Sequence, residues 1–137
     1  MHDETTLKII AALQENARLQ WKDIGSRVHL TGQAVAERVR RLEDQGLIEG
    51  YSARINPAKL GLTVTALITV FMTNTRHSEF QAFLRHRPGI AEAHRISGEG
   101  CYWLKAVLAS PEELNALLNE LLPFGNYRVN LSIDKIR

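Results

Sequence analysis

The chain has 137 residues, of which 45% are hydrophobic and 23% are charged, so it can bury one moderate core or two small ones. This size excludes a large multidomain enzyme. Because 17 Lys and Arg face 15 Asp and Glu, the chain is too balanced to be a polybasic tail protein, and any contact with nucleic acid must come from local charge placement.

Residues 5–19 show the periodicity of an amphipathic helix. Their apolar residues recur at three- and four-residue steps, and either Thr5 or Thr6 can accept a backbone amide as the N-cap. The pattern therefore predicts a first helix near the N-terminus. The residues of its predicted core stripe are Leu7, Ile10, Leu13 and Ala17.

Two further helices are predicted after the polar residue Gln20. The first is short, with about two turns, and the next spans about 32–45 with Thr31 as its N-cap. Gly46 fits the left-handed position just past the end of a helix. The core stripes are Trp21, Ile24 and Val28 in the second helix and Val35, Val39 and Leu42 in the third.

After the third helix the period changes from helical to extended. The imperfect alternation over residues 47–55 predicts a β-hairpin or a single strand. Asn56-Pro57 and Gly61 give the densest turn signal in the middle of the chain, so the domain boundary belongs there. The predicted division is a helix-turn-helix domain over 1–50, a connecting strand and linker over 51–61, and a second domain over 62–137.

The second domain alternates strands and helices in the order β-α-β-β-α-β. Ser110, Pro111 and Glu113 have the spacing of a capping box and mark the start of its second helix. Strands are predicted over 63–73, 91–97, 101–109 and 127–136, and helices over 78–89 and 110–122. The order matches the ferredoxin-like arrangement, in which two helices cover one face of a four-stranded antiparallel sheet.

The predicted fold class is therefore α+β. A winged-type helix-turn-helix domain of three helices precedes a ferredoxin-like βαββαβ sandwich. The uncovered face of the sheet keeps Leu67 and Phe71 among threonines, and such a face is better explained by self-association than by a solvated monomer.

The second and third helices, with a tight turn at His29 and Leu30 between them, have the arrangement of a helix-turn-helix. In that motif the second helix enters the major groove of DNA with its N-terminal residues nearest the bases. With Val35 pointing inward, a step of about 100° per residue decides which side chains face away from the core. The far side carries Gln33, Glu37, Arg40, Arg41 and Asp44, and the flanks carry Ala34 and Arg38.

Small and polar side chains at the start of the third helix suit the edges of bases. Thr31 and Gln33 can hydrogen-bond with bases, and Ala34 can contact thymine methyl groups. Arg38 and Arg41 can reach phosphates, and side chains beside the free amides of the second helix can add backbone contacts. The predicted DNA-binding residues are Gln20, Lys22, Thr31, Gln33, Ala34, Glu37, Arg38 and Arg41.

The charge pattern alone leaves a structural alternative open. Amphipathic helices with exposed arginines are common in proteins that never touch nucleic acid, and residues 1–50 are not basic overall. The local concentration of positive charge favours DNA binding, because four arginines lie on the second and third helices while the first helix carries acidic residues. These arginines are Arg27, Arg38, Arg40 and Arg41.

The stretch from Arg18 to Ala53 reads R-L-x-W-K-D-I-G-S-R-V-H-L-T-x-x-x-V-x-x-R-V-R-R-L-E-D-Q-G-L-I-E-G-Y-x-A. It resembles the DNA-binding half of the Lrp/AsnC family, the leucine-responsive or feast/famine regulators. Leu60-Gly61 and the β-α-β-β-α-β half resemble the effector-binding domain of the same family. The resemblance implies a transcriptional regulator that dimerises through its C-terminal sheets and assembles further, commonly into octamers around which DNA can wrap.

The resemblance also implies a small-molecule effector, usually an amino acid. In the family a Gly-x-x-Asp-Tyr segment at the hairpin helps to form the effector cleft between dimers. The corresponding residues here are Gly98, Glu99, Gly100, Cys101 and Tyr102. Because Cys101 is a weak donor where the family has a carboxylate that can pair with an amino group, three alternatives arise. The pocket takes a different ligand, binds through Glu99 instead, or is unused.

Other chemistries are weaker interpretations. A nucleophilic Cys101 would need an activating partner such as His94, and a buried structural cysteine is favoured over that role. The five His show no ligand spacing, and one Cys cannot build a Cys-rich zinc site or an intramolecular disulfide, so neither metal nor cofactor is expected. Without a basic signal region or an apolar run of membrane-spanning length, the cytoplasm is the expected compartment.

The sequence thus predicts a sequence-specific, homo-oligomeric DNA-binding regulator that is not an enzyme, binds double-stranded DNA and is modulated by a small molecule such as an amino acid. Two alternatives remain at this point. One is a nucleoid-type architectural protein that wraps DNA without an effector. The other is a ligand-binding or enzymatic ferredoxin-like module whose helical N-terminus is a protein-interaction domain.

Overall fold

The computed structural model describes residues 2–98 and 100–137, and the chain divides into two compact units, Met1–Arg54 and Ile55–Arg137. The first unit is helical and the second combines a sheet with helices. The elements of the first unit are α1 (Glu4–Glu15), α2 (Trp21–Val28) and α3 (Gly32–Asp44). Those of the second are a 3-10 turn (Pro57–Leu60), β1 (Val64–Met72), α4 (His77–His86), β2 (Ile90–Arg95), β3 (Tyr102–Leu108), α5 (Pro111–Leu121) and β4 (Gly125–Leu131).

Helix α1 begins earlier than the sequence pattern predicts. Its N-cap is Asp3, whose Oδ1 accepts the backbone N–H of Thr6 at 2.7 Å, so the prediction of Thr5 or Thr6 as cap is wrong. A carboxylate at this position both caps the free amides and faces the positive end of the helix dipole. The predicted core stripe is wrong at Leu7, which is 54% exposed. The buried residues of α1 are Thr6, Ile9, Ala12 and Leu13.

The core of the first unit lies between the three helices. Val35 and Val39 of α3 are buried against Ile24 of α2, and Ile9 and Leu13 close the cluster from α1. The predicted stripe of the second helix is wrong at Trp21, which is 38% exposed. Thr31 is the N-cap of α3 and Gly46 follows the helix with a φ of 76°, so both predicted boundaries of this helix are confirmed. Burial of this one stripe fixes which side of α3 remains exposed.

The strand or hairpin predicted after Gly46 is not formed. Within residues 46–63, all of which the structure describes, the only regular element is the 3-10 turn Pro57–Leu60. A strand needs a neighbour that completes its backbone hydrogen bonds, and the rest of the first unit is helical. Residues 47–55 therefore alternate in sequence without forming a strand, because the described part of the first unit contains no strand that could pair with them.

The second unit contains a four-stranded antiparallel sheet in the order β2-β3-β1-β4. Helices α4 and α5 cover one face, which confirms the predicted ferredoxin-like arrangement. Phe80 and Leu84 of α4 and Leu117 and Leu121 of α5 meet the buried face of the two central strands. The buried residues of these strands are Ala66, Ile68 and Val70 on β1 and Tyr102, Leu104, Ala106 and Leu108 on β3.

The opposite face of the sheet, here called the open face, has no helix of its own unit over it. Leu67 lies between Lys105 and Asn130, and Thr69 lies between Trp103 and Arg128 in the strand register. Leu67, Phe71 and Trp103 are only half-buried on this face. The mixture of large apolar and polar side chains on the open face differs from the continuous apolar face that the helices cover.

The last strand is shorter than predicted. β4 ends at Leu131, and Ile133 and Ile136 beyond it are 99% and 88% exposed, so the predicted strand over 127–136 is wrong at its end. β4 ends there because its partner strand β1 begins at Val64 and offers few further backbone groups. Leu131 pairs with Ala66 near the start of β1, and the N–H of Ser132 makes a final bond to the carbonyl of Thr65 at 2.8 Å.

The buried leucines of α5 are expected to carry the stability of the second unit. We expect Leu117→Ala to lower the free energy of unfolding by about 2–5 kcal/mol, because it removes a fully buried side chain and leaves a cavity. Leu122→Ala is the matched control, since Leu122 is 53% exposed, and should cost less than about 0.5 kcal/mol. Urea unfolding followed by the fluorescence of Trp103, in a chain carrying Trp21→Phe, measures both. Equal destabilisation by the two variants would contradict this account of the core.

Candidate nucleic-acid interface and effector segment

The turn between α2 and α3 depends on two close backbone approaches. His29 ends α2 in the left-handed region with a φ of 61°, and the carbonyl of Gly25 accepts the N–H groups of both His29 and Leu30. A Cβ at Gly25 would collide with the carbonyl oxygen of Leu30. A Cβ at Gly32 would lie 3.1 Å from the backbone nitrogen of Lys22, so the start of α3 sits directly against the start of α2.

The start of α3 presents the side chains predicted to read bases. The hydroxyl of Thr31 accepts the N–H of Ala34 at 3.1 Å as a helix cap, and the O–H of this exposed residue can still donate. Gln33, Glu37 and Arg41 are exposed, and Ala34 is half-buried, which follows the helical wheel set by the buried stripe. The exposed side of α3 therefore has a hydrogen-bonding group near its N-terminus and a cation near its C-terminus.

The predicted backbone-binding residues lie at the start of α2. Gln20 is its N-cap residue, and its side chain makes no capping hydrogen bond. Gln20 and Lys22 are both exposed. First-turn amides of a helix together with a lysine form an arrangement that suits a phosphate group.

Arg38 has a different environment from the other predicted DNA-binding residues. Its Nη1 atom lies 3.1 Å from Oδ2 and 3.2 Å from Oδ1 of Asp3, and 3.1 Å from Oγ1 of Thr6. Its side chain is 29% exposed. The side chain therefore points toward the start of α1 rather than away from the domain, and its predicted contact with phosphate would have to compete with this ion pair.

The ion pair and the helix cap act on the same carboxylate. Hydrogen bonds from the backbone and side chain of Thr6, and then from Arg38, hold the pKa of the Asp3 carboxyl at about 2, below its ordinary value of 3.8. Because this pKa is lower in the folded state, the contribution of Asp3 to stability is present above pH 3.8 and is lost as the pH falls toward 2. The ion pair is intact at neutral pH.

The predicted effector segment lies where the connection from β2 enters β3. Gly98 has a φ of 92°, and Gly100 is buried against the side chain of Thr69, which leaves no room for a Cβ. Glu99 lies outside the described residues. Cys101 is half-buried, and its backbone N–H donates to the carbonyl of Val70 at 2.9 Å. The segment is thus held against the central strand by its backbone.

Tyr102 points to the helix-covered face of the sheet. Its hydroxyl contacts Nδ1 of His77 at 2.8 Å and Nε2 of Gln81 at 3.1 Å, and its ring meets Phe80 edge-on at 4.9 Å. Sequence reasoning missed His77 and Gln81. Their four-residue spacing on one helix was an available signal, but only the sheet shows that a buried hydroxyl faces them.

His94 has a partner other than Cys101 in the structure. The strand register places His94 opposite Trp103, and its Nε2 atom lies 2.8 Å from Oε1 of Glu92. No group of three His, Cys, Asp or Glu side chains within residues 2–98 and 100–137 is placed to hold a metal ion. No helix in the same described ranges is long and apolar enough to cross a membrane.

A cavity of about 410 Å³ lies between α4 and the edge strand β2. Its apolar wall includes Leu84 and Ile90, and its polar wall includes Gln81, Arg85 and Arg95. Tyr102 also lines it, so this cavity adjoins the predicted effector segment. Apolar surface with a few converging polar groups is typical of small-molecule sites.

Both units resemble known families. Residues 2–49 match the family described as winged helix-turn-helix DNA-binding, and residues 65–136 match the Lrp/AsnC ligand binding domain. The chain is 44% identical over 135 residues to the HTH-type transcriptional regulator LrpB of Bacillus subtilis (strain 168), covering 98% of this chain and 91% of that protein. It is 37% identical over 136 residues to LrpA of the same organism, covering 98% of this chain and 100% of that protein.

Solved structures show the same fold. B. subtilis LrpC superposes with a TM-score of 0.94 at 29% identity, covering 100% of this chain and 98% of that chain. A transcriptional regulator of Neisseria meningitidis in complex with L-Met also gives a TM-score of 0.94, at 25% identity, covering 100% of this chain and 93% of that chain.

A helix-turn-helix unit with an exposed polar helix, followed by a ligand-binding domain, defines a DNA-binding transcriptional regulator. The chain belongs to the Lrp/AsnC family of such regulators, which confirms the resemblance carried by residues 18–53 and by the second domain. The relatives named above are transcriptional regulators, in agreement with the expectation that the chain is not an enzyme.

The close approach at Gly25 gives a direct test of the helix-turn-helix geometry. We expect Gly25→Ala to destabilise the first unit by about 1–3 kcal/mol, because the added Cβ meets the carbonyl of Leu30 and neither backbone can yield without distorting the turn. Gly50→Ala is the control, since nothing lies within 4 Å of a Cβ there. Thermal unfolding followed by Trp21 fluorescence, in a Trp103→Phe chain, compares the two. An unaffected Gly25→Ala protein would be inconsistent with the turn described.

Proposed function

We propose that the chain is a sequence-specific transcriptional regulator that binds double-stranded DNA as a homo-oligomer and responds to a small molecule. The observation that carries this proposal is the exposed side of α3, fixed by the buried stripe beneath it and joined to α2 by a glycine-dependent turn. Membership of the Lrp/AsnC family supports it. The compartment expected for such a protein is the cytoplasm.

DNA recognition is assigned to the start of α3, to Arg41 later in the same helix and to the start of α2. Gln33 is exposed one turn before Glu37, where a major-groove helix offers amide groups to base edges. Thr31 caps the helix and so positions Gln33 and Ala34, and its O–H remains able to donate to a base. Arg41, and Gln20 and Lys22 at the start of α2, supply contacts with phosphates.

The open face of the sheet is the proposed surface between two copies. Leu67, Phe71 and Trp103 lie on it without a covering helix. A sheet face with three large apolar side chains is stabilised when a second copy covers it. Two recognition helices held one helical turn of DNA apart, roughly 34 Å, would then double the contacts on a two-fold symmetric site. Assembly of dimers into an octamer is the expectation carried by the family resemblance.

The proposed effector is a small molecule such as an amino acid. The Neisseria meningitidis relative with the same fold was solved in complex with L-Met, and the cavity beside Tyr102 supports a small-molecule site in this unit. We assign the segment Gly98, Glu99, Gly100, Cys101 and Tyr102 to effector binding. Because Cys101 supplies no carboxylate, an amino group would need Glu99 or another acid, or the ligand lacks that group.

Arg41 and Gln33 are expected to have separable effects on DNA binding. We expect Arg41→Ala to weaken binding to all duplexes and to lower the slope of log K against log salt by about 0.9 for each phosphate that is no longer neutralised. Gln33→Ala should change the preference among sequences with little change in that slope. Fluorescence anisotropy titrations at several salt concentrations, on a pool of random duplexes and on the sites selected from it, measure both. Unchanged binding by both variants would exclude α3 as the recognition helix.

The open face can be tested by its effect on molecular mass. We expect the native chain to be a dimer or a larger even oligomer, and Trp103→Glu to shift the mass toward the monomer, because it places a charge in an apolar contact. Leu122→Glu is the control, since Leu122 is an exposed apolar residue at the end of α5 on the helix side. Light scattering coupled to size-exclusion chromatography gives the mass. A native monomer, or an unchanged mass for Trp103→Glu, would contradict the proposed interface.

A further inference from the structure

Three arginines of α3 lie in two different environments. Arg40 and Arg41 are exposed, and neither forms a salt bridge with any residue of the described ranges 2–98 and 100–137. Arg38 lies between Arg41 and the buried stripe on the helix surface, with its side chain 29% exposed and its Nη1 atom bonded to the carboxylate of Asp3. Similar residues in one stretch of sequence therefore have different contacts.

The partner of Arg38 is a carboxylate that α1 already uses. Oδ1 of Asp3 accepts the N–H of Thr6 at 2.7 Å as the N-cap of α1, and the same atom lies 3.2 Å from Nη1 of Arg38. Thr6 is a buried polar residue, at 8% exposure, and its Oγ1 accepts from Nη1 of Arg38 at 3.1 Å. The start of α1 and the middle of α3 are thus joined by directional bonds around one guanidinium group.

The rest of the contact between α1 and α3 is apolar. Ile9 and Ala12 pack in the same cluster as Val35 and Val39, and apolar packing of this kind is not directional. It permits α3 small rotations about its axis and small shifts along α1. Hydrogen bonds from Arg38 to the fixed cap of α1 have defined lengths and angles, so they oppose both movements.

We propose that Arg38 is a positioning residue for DNA binding, which fixes the rotation of α3 through Asp3 and Thr6 and does not itself bind phosphate. This inference rests on the proposed function, in which α3 enters the major groove. A small rotation of α3 displaces Gln33 and Arg41 together, because both project from the same helix. The three residues Asp3, Thr6 and Arg38 are called the α1–α3 clamp below.

The two possible roles of Arg38, positioning α3 and binding phosphate, predict opposite changes in DNA affinity when Asp3 is replaced. Removing the negative charge of Asp3 reduces repulsion from DNA, so simple electrostatics makes Asp3→Ser bind duplex more tightly. Release of the α1–α3 clamp makes the same variant bind more weakly. Serine retains a good N-cap, so α1 keeps its start. Glu4→Gln is the matched control, because Glu4 is the next acid along the chain and pairs only with the exposed Lys8 at 3.2 Å.

The DNA experiment uses the full chain, a random duplex of about 40 base pairs and a temperature well below the unfolding midpoint of every variant. We expect Asp3→Ser and Arg38→Gln each to weaken binding by about 3- to 10-fold at one salt concentration, with the native salt slope unchanged. Arg38→Lys should recover part of the affinity, since it keeps a donor near Asp3. Glu4→Gln should bind as tightly as the native chain or more tightly, and Arg41→Gln should lower the salt slope by about 0.9 for each phosphate that it leaves without a cation.

The thermal experiment tests the clamp without DNA. We expect Asp3→Ser and Arg38→Gln each to lower the Tm of the first unit by about 2–6 °C, and the double variant to lower it by no more than the larger single change. Trp21 fluorescence in a Trp103→Phe chain reports this unit. Thr6→Val tests the third residue of the α1–α3 clamp, because it removes the hydroxyl that accepts from Arg38 and keeps the shape of the side chain.

The outcomes separate the two proposals. Tighter binding by Asp3→Ser, or a lower salt slope for Arg38→Gln, would show that Arg38 acts as a phosphate contact and would overturn its positioning role. Additive decreases of Tm in the double variant would overturn the α1–α3 clamp as a coupled unit. A native chain that binds no duplex at low salt would overturn the proposed function, and the role of Arg38 in DNA binding with it, even if the thermal coupling is found.

Discussion

Burial of one apolar stripe of α3 is the constraint on which the DNA-binding unit depends. Val35 and Val39 are almost completely buried against α1 and α2, so the core sets the rotation of the helix about its own axis, apart from the small changes that apolar packing permits. The exposed positions of Gln33 and Arg41 follow from that rotation, since side chains on a helix are about 100° apart. The proposed recognition surface is therefore a consequence of the core beneath it.

The side chains of β3 alternate between the two faces of the sheet, and this places the proposed ligand site and the proposed interface on opposite faces. Tyr102 points into the helix-covered core, where His77 and Gln81 hold its hydroxyl, and its neighbour Trp103 points to the open face. Successive residues of a strand face opposite sides of the sheet. A ligand beside Tyr102 and a second copy on the open face would therefore both contact β3. A movement of β3 would change both contacts.

The chain has the fold of its family, whereas Cys101 in the proposed effector segment departs from the Gly-x-x-Asp-Tyr pattern that the resemblance implies. Backbone bonds from Cys101 to the central strand and the space beside Gly100 are set by main-chain geometry. The side chain at position 101 is free of that requirement, so an acid can be replaced by a thiol without a change of fold. The backbone of this segment therefore does not require a carboxylate at position 101.

The sequence by itself determined the positions of the three N-terminal helices, the strand and helix order of the second unit and the family, because apolar periodicity and capping residues act over a few neighbouring positions. It did not determine that Asp3 rather than a threonine caps α1, because Asp, Ser and Thr are all good caps and the choice depends on where the helix packs. It also could not show that Arg38 turns toward Asp3 while Arg41 remains exposed, that residues 47–56 find no partner strand, or that His77 reaches Tyr102. The last three features join residues that are distant in the chain or depend on the absence of a neighbour, and only the tertiary structure brings such residues together or leaves them apart.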